Sequence, residues 1–388
     1  MRTSTMITFL SIVLTIYISG NTYILIRGLQ ALPQSALMRI IYSVIILFPA
    51  TAFIIGEVGE KTGLFQDNHI LIFIGSLWLA FLLYAVLFTL TIDLIRAVNY
   101  FINFLPDKEW MLNNNIPLKL MGAVTVLTGT IFFTGFVIAS SPIVKTIDLE
   151  INKKSPGLDS LNIVMASDIH LGNIVGANKF SRLVNTINTL DPDIVLFPGD
   201  IFDENLKPVI KNNHGDIMKS IKAHHGVFAV TGNHEYIGGV NDAVAFLQKH
   251  GVTILRDKAV VIGNAFILVG REDLSISRFS DKKRNDLATI LENTNTDMPV
   301  ILMDHQPYSI DESAKEGVDL HLSGHTHNGQ LWPFNYITRA LYEISHGYKK
   351  IKNTHVYVSN GYGTWGPPVR TTGRPEVVNI KVKFNRKK

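Results

Sequence analysis

Four apolar segments of about 20 residues each lie in the first 139 residues of the 388-residue chain, and they limit the possible folds more than any other feature. They occupy about 6–26, 36–55, 70–92 and 118–139. A helix of about 20 apolar residues crosses the roughly 30 Å of hydrocarbon in a bilayer. The first segment is too long for a signal peptide, and no small-residue cleavage site follows it. The sequence therefore predicts an all-α transmembrane region of about four helices.

Charged residues become frequent only after about residue 142. Residues 1–142 hold seven of the 36 Lys and Arg residues and six of the 32 Asp and Glu residues. We therefore predict two domains, a transmembrane region at 1–142 and a polar domain at 143–388. The chain has no cysteine, which excludes disulfides and thiolate metal ligands. The net charge is only +4 and the basic residues form no stripe, so no nucleic-acid partner is expected.

The charged residues beside the four segments bear on which side of the membrane carries the polar domain. Four spans place both chain ends on one side, and the positive-inside rule gives a tie, with five Lys and Arg residues flanking the helices on each side. The loop between the second and third segments is acidic (Glu57, Glu60, Asp67), which favours an outside location. We therefore predict a multi-pass plasma (inner) membrane protein whose polar domain is extracytoplasmic. The bilayer is its first expected partner.

Asp93 and Arg96 lie near the end of the third apolar segment. Ionisable residues inside a membrane are often functional. We interpret these two as an interfacial pair that reaches water, and an intramembrane functional pair is the alternative.

The polar domain alternates short apolar strands with helical patterns, which predicts a layered α/β fold. Five predicted strands, at about 161–166, 193–197, 227–230, 300–303 and 320–322, each run directly into a cluster of Asp, Asn or His. In open α/β sheets, ligands bind at the carboxyl ends of strands. The five clusters are therefore expected to converge on one site.

The side chains in these clusters are typical ligands of a metal ion. The set is Asp168, His170, Asp200, Asn233, His305, His325 and His327. Each cluster alone is common by chance, but together they would repel one another or stay unsatisfied without a cation. Imidazole and carboxylate without sulfur suit Mn²⁺, Fe or Zn²⁺. We therefore predict two divalent ions, because a paired site can share one bridging carboxylate.

Together the motifs resemble those of the calcineurin-like metallophosphoesterases. The matching blocks, which lie within about 161–383, are Asp168-x-His170, Gly199-Asp200-x-x-Asp203, Gly232-Asn233-His234-Glu235, His305 and Gly324-His325-x-His327. The run His327-x-Gly329-Gln330 and the Gly/Pro-rich tail at 360–370 resemble the membrane-associated YkuE-like branch. The resemblance implies an α/β sandwich with a dinuclear metal site, and a metal-dependent phosphoric ester hydrolase activity.

The resemblance also implies a role for each matched residue. It gives Asp168, His170 and His327 to one metal, Asn233, His305 and His325 to the second, and Asp200 to both as the bridge. A hydroxide between the ions would be the nucleophile. His234 would contact the phosphate and protonate the leaving oxygen. Asp203 and Glu235 would orient the ligands.

The expected substrate is a phosphomonoester, phosphodiester or pyrophosphate, and the membrane region favours a lipid-linked or cell-envelope compound. Some members of the wider branch cleave UDP-2,3-diacylglucosamine, which makes that reaction a specific alternative. Segment 331–344 is rich in aromatic and aliphatic residues, and it would lie either on the bilayer or against its own sheet. Arg370 would either bind a substrate phosphate or pair with a surface acid.

Two other functions remain alternatives. A membrane scaffold with a vestigial hydrolase domain would be expected to have lost ligands, whereas this set is complete. A nucleic-acid phosphodiesterase would be expected to carry a basic stripe. The oligomeric state is not indicated by the sequence.

Overall fold

A computed structural model describes residues 3–62 and 69–385 of the chain. It divides into two compact units. The first unit comprises Met1–Val137 with Gly366–Val369, and the second comprises Ile138–Trp365 with Arg370–Lys388. Arg2 and Asp67, which the charge comparison used, lie outside the described residues.

The first unit is helical. Its helices are α1 (Thr3–Ala31), α2 (Ala36–Thr62), α3 (His69–Ile102), α4 (Lys108–Asn113) and α5 (Ile116–Ala139). Four of them, α1, α2, α3 and α5, are long and apolar enough to cross a membrane, which confirms the predicted helices. The short α4 was not predicted, and it begins where Asp107 accepts a hydrogen bond from the backbone N–H of Trp110.

Close contacts between the helices hold this unit together. Gly28 of α1 faces the ring of Tyr42 of α2 so closely that a Cβ atom would overlap it. Trp78 of α3 donates its indole N–H to the Asn21 side chain of α1 at 2.8 Å. Both groups are buried, and in a bilayer a polar group must find such a partner within the protein.

The second unit is a sandwich of two six-stranded mixed sheets. The strands are β1 (Ile143–Ile151), β2 (Ser160–Met165), β3 (Ile194–Pro198), β4 (Val227–Val230), β5 (Val252–Ile254), β6 (Lys258–Ile262), β7 (Phe266–Gly270), β8 (Val300–Met303), β9 (Leu320–Ser323), β10 (Gly347–Ile351), β11 (Thr354–Val358) and β12 (Glu376–Phe384). One sheet has the order β1-β12-β2-β3-β4-β5 and the other β10-β11-β9-β8-β7-β6. The strands β2 to β5 run parallel, as do β7, β8, β9 and β11.

The main core lies between the two sheets, and helices cover their outer faces. The helices are α6 (Ala177–Thr189), α7 (Leu206–Lys211), α8 (His214–Lys219), α9 (Asn233–Gly238), α10 (Val240–Lys249), α11 (Ile276–Phe279), α12 (Leu287–Leu291), α13 (Ile310–Lys315) and α14 (Phe334–Leu341), with a 3-10 turn at His327–Gly329. Side chains from β2, β3, β8 and β9 form one buried cluster between the sheets. Phe180, Leu183, Val184 and Ile187 form an apolar face of α6 that packs on the outer side of its sheet. The predicted layered α/β class is confirmed.

Two local features differ from the sequence expectation. The residue pattern at about 208–221 predicts a single helix, but α7 ends at Lys211 and α8 begins at His214. Between them Asn213 adopts φ +53°, which breaks the helix. The sequence also predicts strands at about 252–255, 258–262, 265–269, 355–359 and 377–383, but it does not predict β1 and β10. Much of their length is solvent-exposed, so neither reads as a continuous apolar run.

Candidate metal centre

The predicted site residues lie at the carboxyl ends of five strands. Strands β2, β3 and β4 of one sheet end before Asp168, Asp200 and Asn233. Strands β8 and β9 of the other sheet end before His305 and His325. Because the strands within each set are parallel, their carboxyl ends lie along one edge of each sheet.

Asp168, His170 and His327 form the first group. Their potential ligand atoms all lie within 4.8 Å of one another, and all three residues are buried. The Nε2 atoms of His170 and His327 are 3.0 Å apart. Nε2 of His327 is 3.6 Å from Oδ1 of Asp168. These residues could hold one metal ion, as the sequence predicts.

Asp200, His305 and His325 form the second group, again within 4.8 Å. Nε2 of His305 lies 3.1 Å from Oδ2 of Asp200 and 3.2 Å from Oδ1 of Asn233. Asn233 therefore lies beside this group, to which the resemblance assigns it. The opposite ring nitrogen of His305 lies 2.8 Å from the carbonyl oxygen of Pro198, which fixes the orientation of the imidazole.

Asp203 lies between two histidines. Its Oδ1 atom is 3.5 Å from Nδ1 of His170 and 3.6 Å from Nδ1 of His234. Its backbone carbonyl is also 2.5 Å from Nδ1 of His234. A carbonyl only accepts, so Nδ1 of His234 carries the proton and Nε2 is left for another partner.

Glu235 lies behind the cluster and binds the backbone of two ligand loops. Its carboxylate accepts hydrogen bonds from the N–H groups of Asp200, Ile201, Phe202 and Gly232 at 2.7 to 3.0 Å. It is almost completely buried. The acid therefore fixes the loop that carries Asp200 against the turn that carries Asn233.

The backbone at the site has an unusual conformation. Asp168, His170, Asp200, His325 and His327 have φ values between +48° and +71°. Such values are uncommon for residues other than glycine, and they persist only where the surroundings impose them. The arrangement of the donors is therefore built into the fold.

Two glycines allow the loops to approach each other. A Cβ atom at position 232 would overlap the carboxylate of Asp200, and one at position 324 would overlap Ser167 and Asp168. The Ser167 hydroxyl is 2.5 Å from Oδ2 of Asp168, and the backbone N–H of His325 donates to Oδ1 at 2.8 Å. Sequence reasoning missed Ser167, although its position next to Asp168 was a usable signal.

The electrostatics of the buried cluster suit a cation. Burial raises the pKa of Asp168. Burial also opposes a charge on Asp200, but the neighbouring His305 holds the pKa of this carboxyl well below its usual range. Burial, together with His305, lowers the pKa of His325 to about 3, and burial lowers that of His327 as well. The last two rings are therefore neutral at pH 7 and offer lone pairs, as metal ligation requires.

The structure places Arg370 in the interior, so the expected pairing with a surface acid is wrong, and the expected contact with a substrate phosphate stays a prediction. Arg370 is completely buried. Its terminal nitrogens donate to the carbonyls of Asn360 at 2.7 Å and Gly363 at 2.6 Å, and one lies 3.0 Å from Nδ1 of His327. The neighbouring loop supplies carbonyls that only a buried donor can satisfy. Arg370 therefore holds His327 and the loop in place, and it does not pair with a surface acid.

The contact with Arg370 also sets the tautomer of His327. Arginine only donates, so Nδ1 of His327 accepts and the ring proton lies on Nε2. That proton faces Nε2 of His170 at 3.0 Å. A metal ion binds only a ring nitrogen that carries no proton, so a cation here would bind Nε2 of His170 directly and Nε2 of His327 only after displacing this proton. The residues present thus fit a metal site.

The amphipathic segment after the last motif forms α14. Trp332, Phe334, Tyr336, Ile337 and Leu341 are 42 to 63% exposed. The alternative that this segment packs against its own sheet is therefore wrong for these side chains.

Comparisons with known proteins agree with this geometry. The family model described as calcineurin-like phosphoesterase matches residues 161–329. An uncharacterized metallophosphoesterase of Aquifex aeolicus is 35% identical over 60% of this chain and 88% of the relative. A Bos taurus protein named transmembrane protein with metallophosphoesterase domain is 32% identical, over 68% of this chain and 62% of the relative. The uncharacterized metallophosphoesterase YkuE of Bacillus subtilis is 28% identical, over 58% of this chain and 80% of the relative.

Proposed function

The chain belongs to the calcineurin-like metallophosphoesterases and is a metal-dependent phosphoester hydrolase with membrane-spanning helices. From this premise we propose that it hydrolyses a phosphoester or pyrophosphate bond of a lipid-linked or cell-envelope substrate. In this proposal residues 143–388 carry the activity and residues 1–142 hold them at the plasma membrane, on its extracytoplasmic side.

The observation that carries the proposal is the convergence of seven buried or half-buried O and N donors, without sulfur, on two groups at the ends of five strands. We assign Asp168, His170 and His327 to one ion, Asn233, His305 and His325 to the other, and Asp200 to both. Two divalent ions there would lower the pKa of water and neutralise charge on the phosphoryl group. Mn²⁺, Fe and Zn²⁺ suit these donors.

His234 is the proposed catalytic residue. It lies beside the first group, with its ring centroid 4.6 Å from that of His170. Its Nδ1 proton is held by the carbonyl of Asp203, so Nε2 is the atom that would contact a substrate phosphate. When protonated, Nε2 can also deliver a proton to the leaving oxygen. Asp203 and Glu235 position these groups.

The preference for a lipid-linked substrate is supported by α14. The 3-10 turn that contains His327 leads directly into this helix. Phe334, Ile337 and Leu341 lie at helical spacing on one exposed face, and Arg339 is exposed on the opposite side of the helix. Aromatic and aliphatic residues with a nearby cation are typical of helices that lie in the bilayer interface. Such a helix would bring the metal centre to a substrate that remains in the membrane.

Hydrolysis by the detergent-purified full-length protein with added Mn²⁺ tests the proposal. The substrates are bis-p-nitrophenyl phosphate, p-nitrophenyl phosphate and UDP-2,3-diacylglucosamine. We expect the wild type to cleave at least one of them, and Asp200→Ala and His234→Ala to lose most of that activity. The matched controls Asp216→Ala and His224→Ala change exposed residues of the same types and should retain it.

Two results would contradict the proposal. Full activity in Asp200→Ala would show that the metal assignment is wrong. A wild type that binds metal but cleaves none of the compounds under several metals would favour the scaffold alternative. Cleavage of the lipid compound far faster than the two aromatic esters would support the pyrophosphatase alternative.

The extracytoplasmic location has its own test, because the chain contains no cysteine. Asp216→Cys creates one exposed thiol in the second unit. We expect a membrane-impermeant maleimide to label it in intact cells of a bacterial expression host whose outer membrane has been made permeable. Labelling only after the inner membrane is opened would place the domain in the cytoplasm.

A further inference from the structure

The helical unit contains an apolar cavity of about 780 Å³ that the hydrolase chemistry does not use. Its walls come from the four long helices, and they include Ile46, Trp78 and Phe132. The volume lies within the range of about 300–1,000 Å³ that is usual for ligand sites. One end of the cavity is polar, since Arg27 and Arg96 both line it.

The polar end is a connected cluster of side chains. Asp93 lies 2.6 Å from a guanidinium nitrogen of Arg27 and 3.0 Å from one of Arg96. The Tyr23 hydroxyl donates to the same carboxylate at 2.6 Å, and Arg27 donates to Gln30. The two arginine side chains remain 38% and 44% exposed, whereas Asp93 is 15% exposed. One acid thus holds two arginines in place, and together they carry a net charge of +1.

A second apolar cavity, of about 600 Å³, shares this polar end. It is lined by Ile92, Arg96, Pro117 and Leu120, which also line the first cavity, and by Lys108. Two apolar cavities therefore share an arginine at one end, and a third cation lies nearby. This arrangement matches a molecule with two hydrocarbon chains and one anionic headgroup.

We propose that the helical unit binds an anionic diacyl phospholipid, whose phosphate contacts Arg27 and Arg96 and whose acyl chains occupy the two cavities. A cation within membrane helices is costly unless it is paired, and one carboxylate cannot neutralise two guanidiniums. A lipid phosphate supplies the missing negative charge, and arginine can bind it in a bidentate manner. The chains fill apolar space that water would not stabilise. This site is independent of the proposed substrate and of the metal centre.

The first experiment uses the full-length protein in detergent. Native mass spectrometry and thermal shift are measured during titration with phosphatidylglycerol and with phosphatidylcholine of the same acyl chains. We expect a bound phosphatidylglycerol molecule and at least about tenfold tighter binding than for phosphatidylcholine. Equal affinity of the wild type for the two lipids overturns the proposal, and this comparison needs no variant.

Variants then locate the site. Arg27→Gln and Arg96→Gln should each weaken phosphatidylglycerol binding about fivefold, because a membrane-surface cation contributes about that factor. They should weaken phosphatidylcholine binding less, because the choline cation of that lipid offsets its phosphate. The control Lys119→Gln removes an exposed cation at the same end of the unit that lines neither cavity, and it should have no effect. Arg96→Lys keeps the charge and should keep most of the preference. Retention of the full preference in both glutamine variants would refute the assigned site.

Discussion

The hydrogen bonds of Glu235 allow the effect of one substitution to be worked out. Each carboxylate oxygen accepts two backbone N–H groups, those of Ile201 and Phe202 on Oε1 and those of Asp200 and Gly232 on Oε2. Glu235→Gln replaces one oxygen with an NH₂ group, which cannot accept. Two buried N–H groups then lose their acceptor, and each lost bond to a charged group costs about 1.5–3 kcal/mol.

We therefore expect Glu235→Gln to lower the free energy of unfolding by at least about 3 kcal/mol. For a unit of this size that corresponds to a fall in Tm of roughly 6–12 °C. Activity on bis-p-nitrophenyl phosphate should fall by more than about tenfold even well below the Tm, because the loop that carries Asp200 shifts. Tryptophan fluorescence during heating and the hydrolysis assay measure the two effects.

The control is Glu292→Gln, the same change at an exposed position, which should alter stability by less than about 0.5 kcal/mol. If Glu235→Gln kept the wild-type Tm and activity, the carboxylate would not be what holds the two loops together. If the variant lost stability but kept full activity at low temperature, Glu235 would stabilise the fold without positioning the loop that carries Asp200.

Other features of the second unit give further predictions. Arg370→Lys keeps the charge, but a lysine cannot bind several carbonyls and His327 together, so the free energy of unfolding should fall by about 2 kcal/mol or more. If Arg370 were a surface residue, the same substitution would leave the Tm almost unchanged. His321 is buried between two serine hydroxyls, and burial lowers its pKa to about 3. The unfolded chain binds this proton more readily than the folded chain, so lowering the pH from 6.5 to 5.5 should reduce the free energy of unfolding by about 1 kcal/mol through this group. His321→Gln should therefore flatten the dependence of Tm on pH over that range. Ile337→Ser with Leu341→Ser should reduce kcat/KM for a lipid phosphoester in vesicles at least about tenfold but leave bis-p-nitrophenyl phosphate hydrolysis unchanged, and equal losses on both substrates would argue against bilayer contact.

The metal centre was predictable because its signals are local. Each ligand cluster follows an apolar strand directly, and parallel strands end at the same edge of a sheet. The sequence therefore places Asp168, Asp200 and Asn233 at one edge of a sheet without any knowledge of long-range contacts, whereas His305 comes from the other sheet and was added by the match of the whole motif set. The membrane helices were predictable for the same reason, since their length and composition are read from one continuous segment.

The burial of Arg370 and the position of β12 could not be predicted in this way. Arginine is rarely fully buried, so its type favours the surface. Its actual partners are backbone carbonyls of a folded loop and His327, which no sequence pattern displays. Likewise β12 lies between β1 and β2, and this pairing depends on contacts across more than 200 residues.

The position of β12 has a consequence for biosynthesis. The strand at Glu376–Phe384 pairs with β2, which ends at Met165, so the 210 residues at 166–375 must be made between the end of one and the start of the other. At roughly 5–20 residues per second this takes about 10–40 s. During that interval the edges of β1 and β2 that later pair with β12 have no partner, and unpaired strand edges favour association with other chains. The ribosome must therefore produce nearly the whole chain before the sheet can close, while the helices made first already tether the unfinished domain at the membrane.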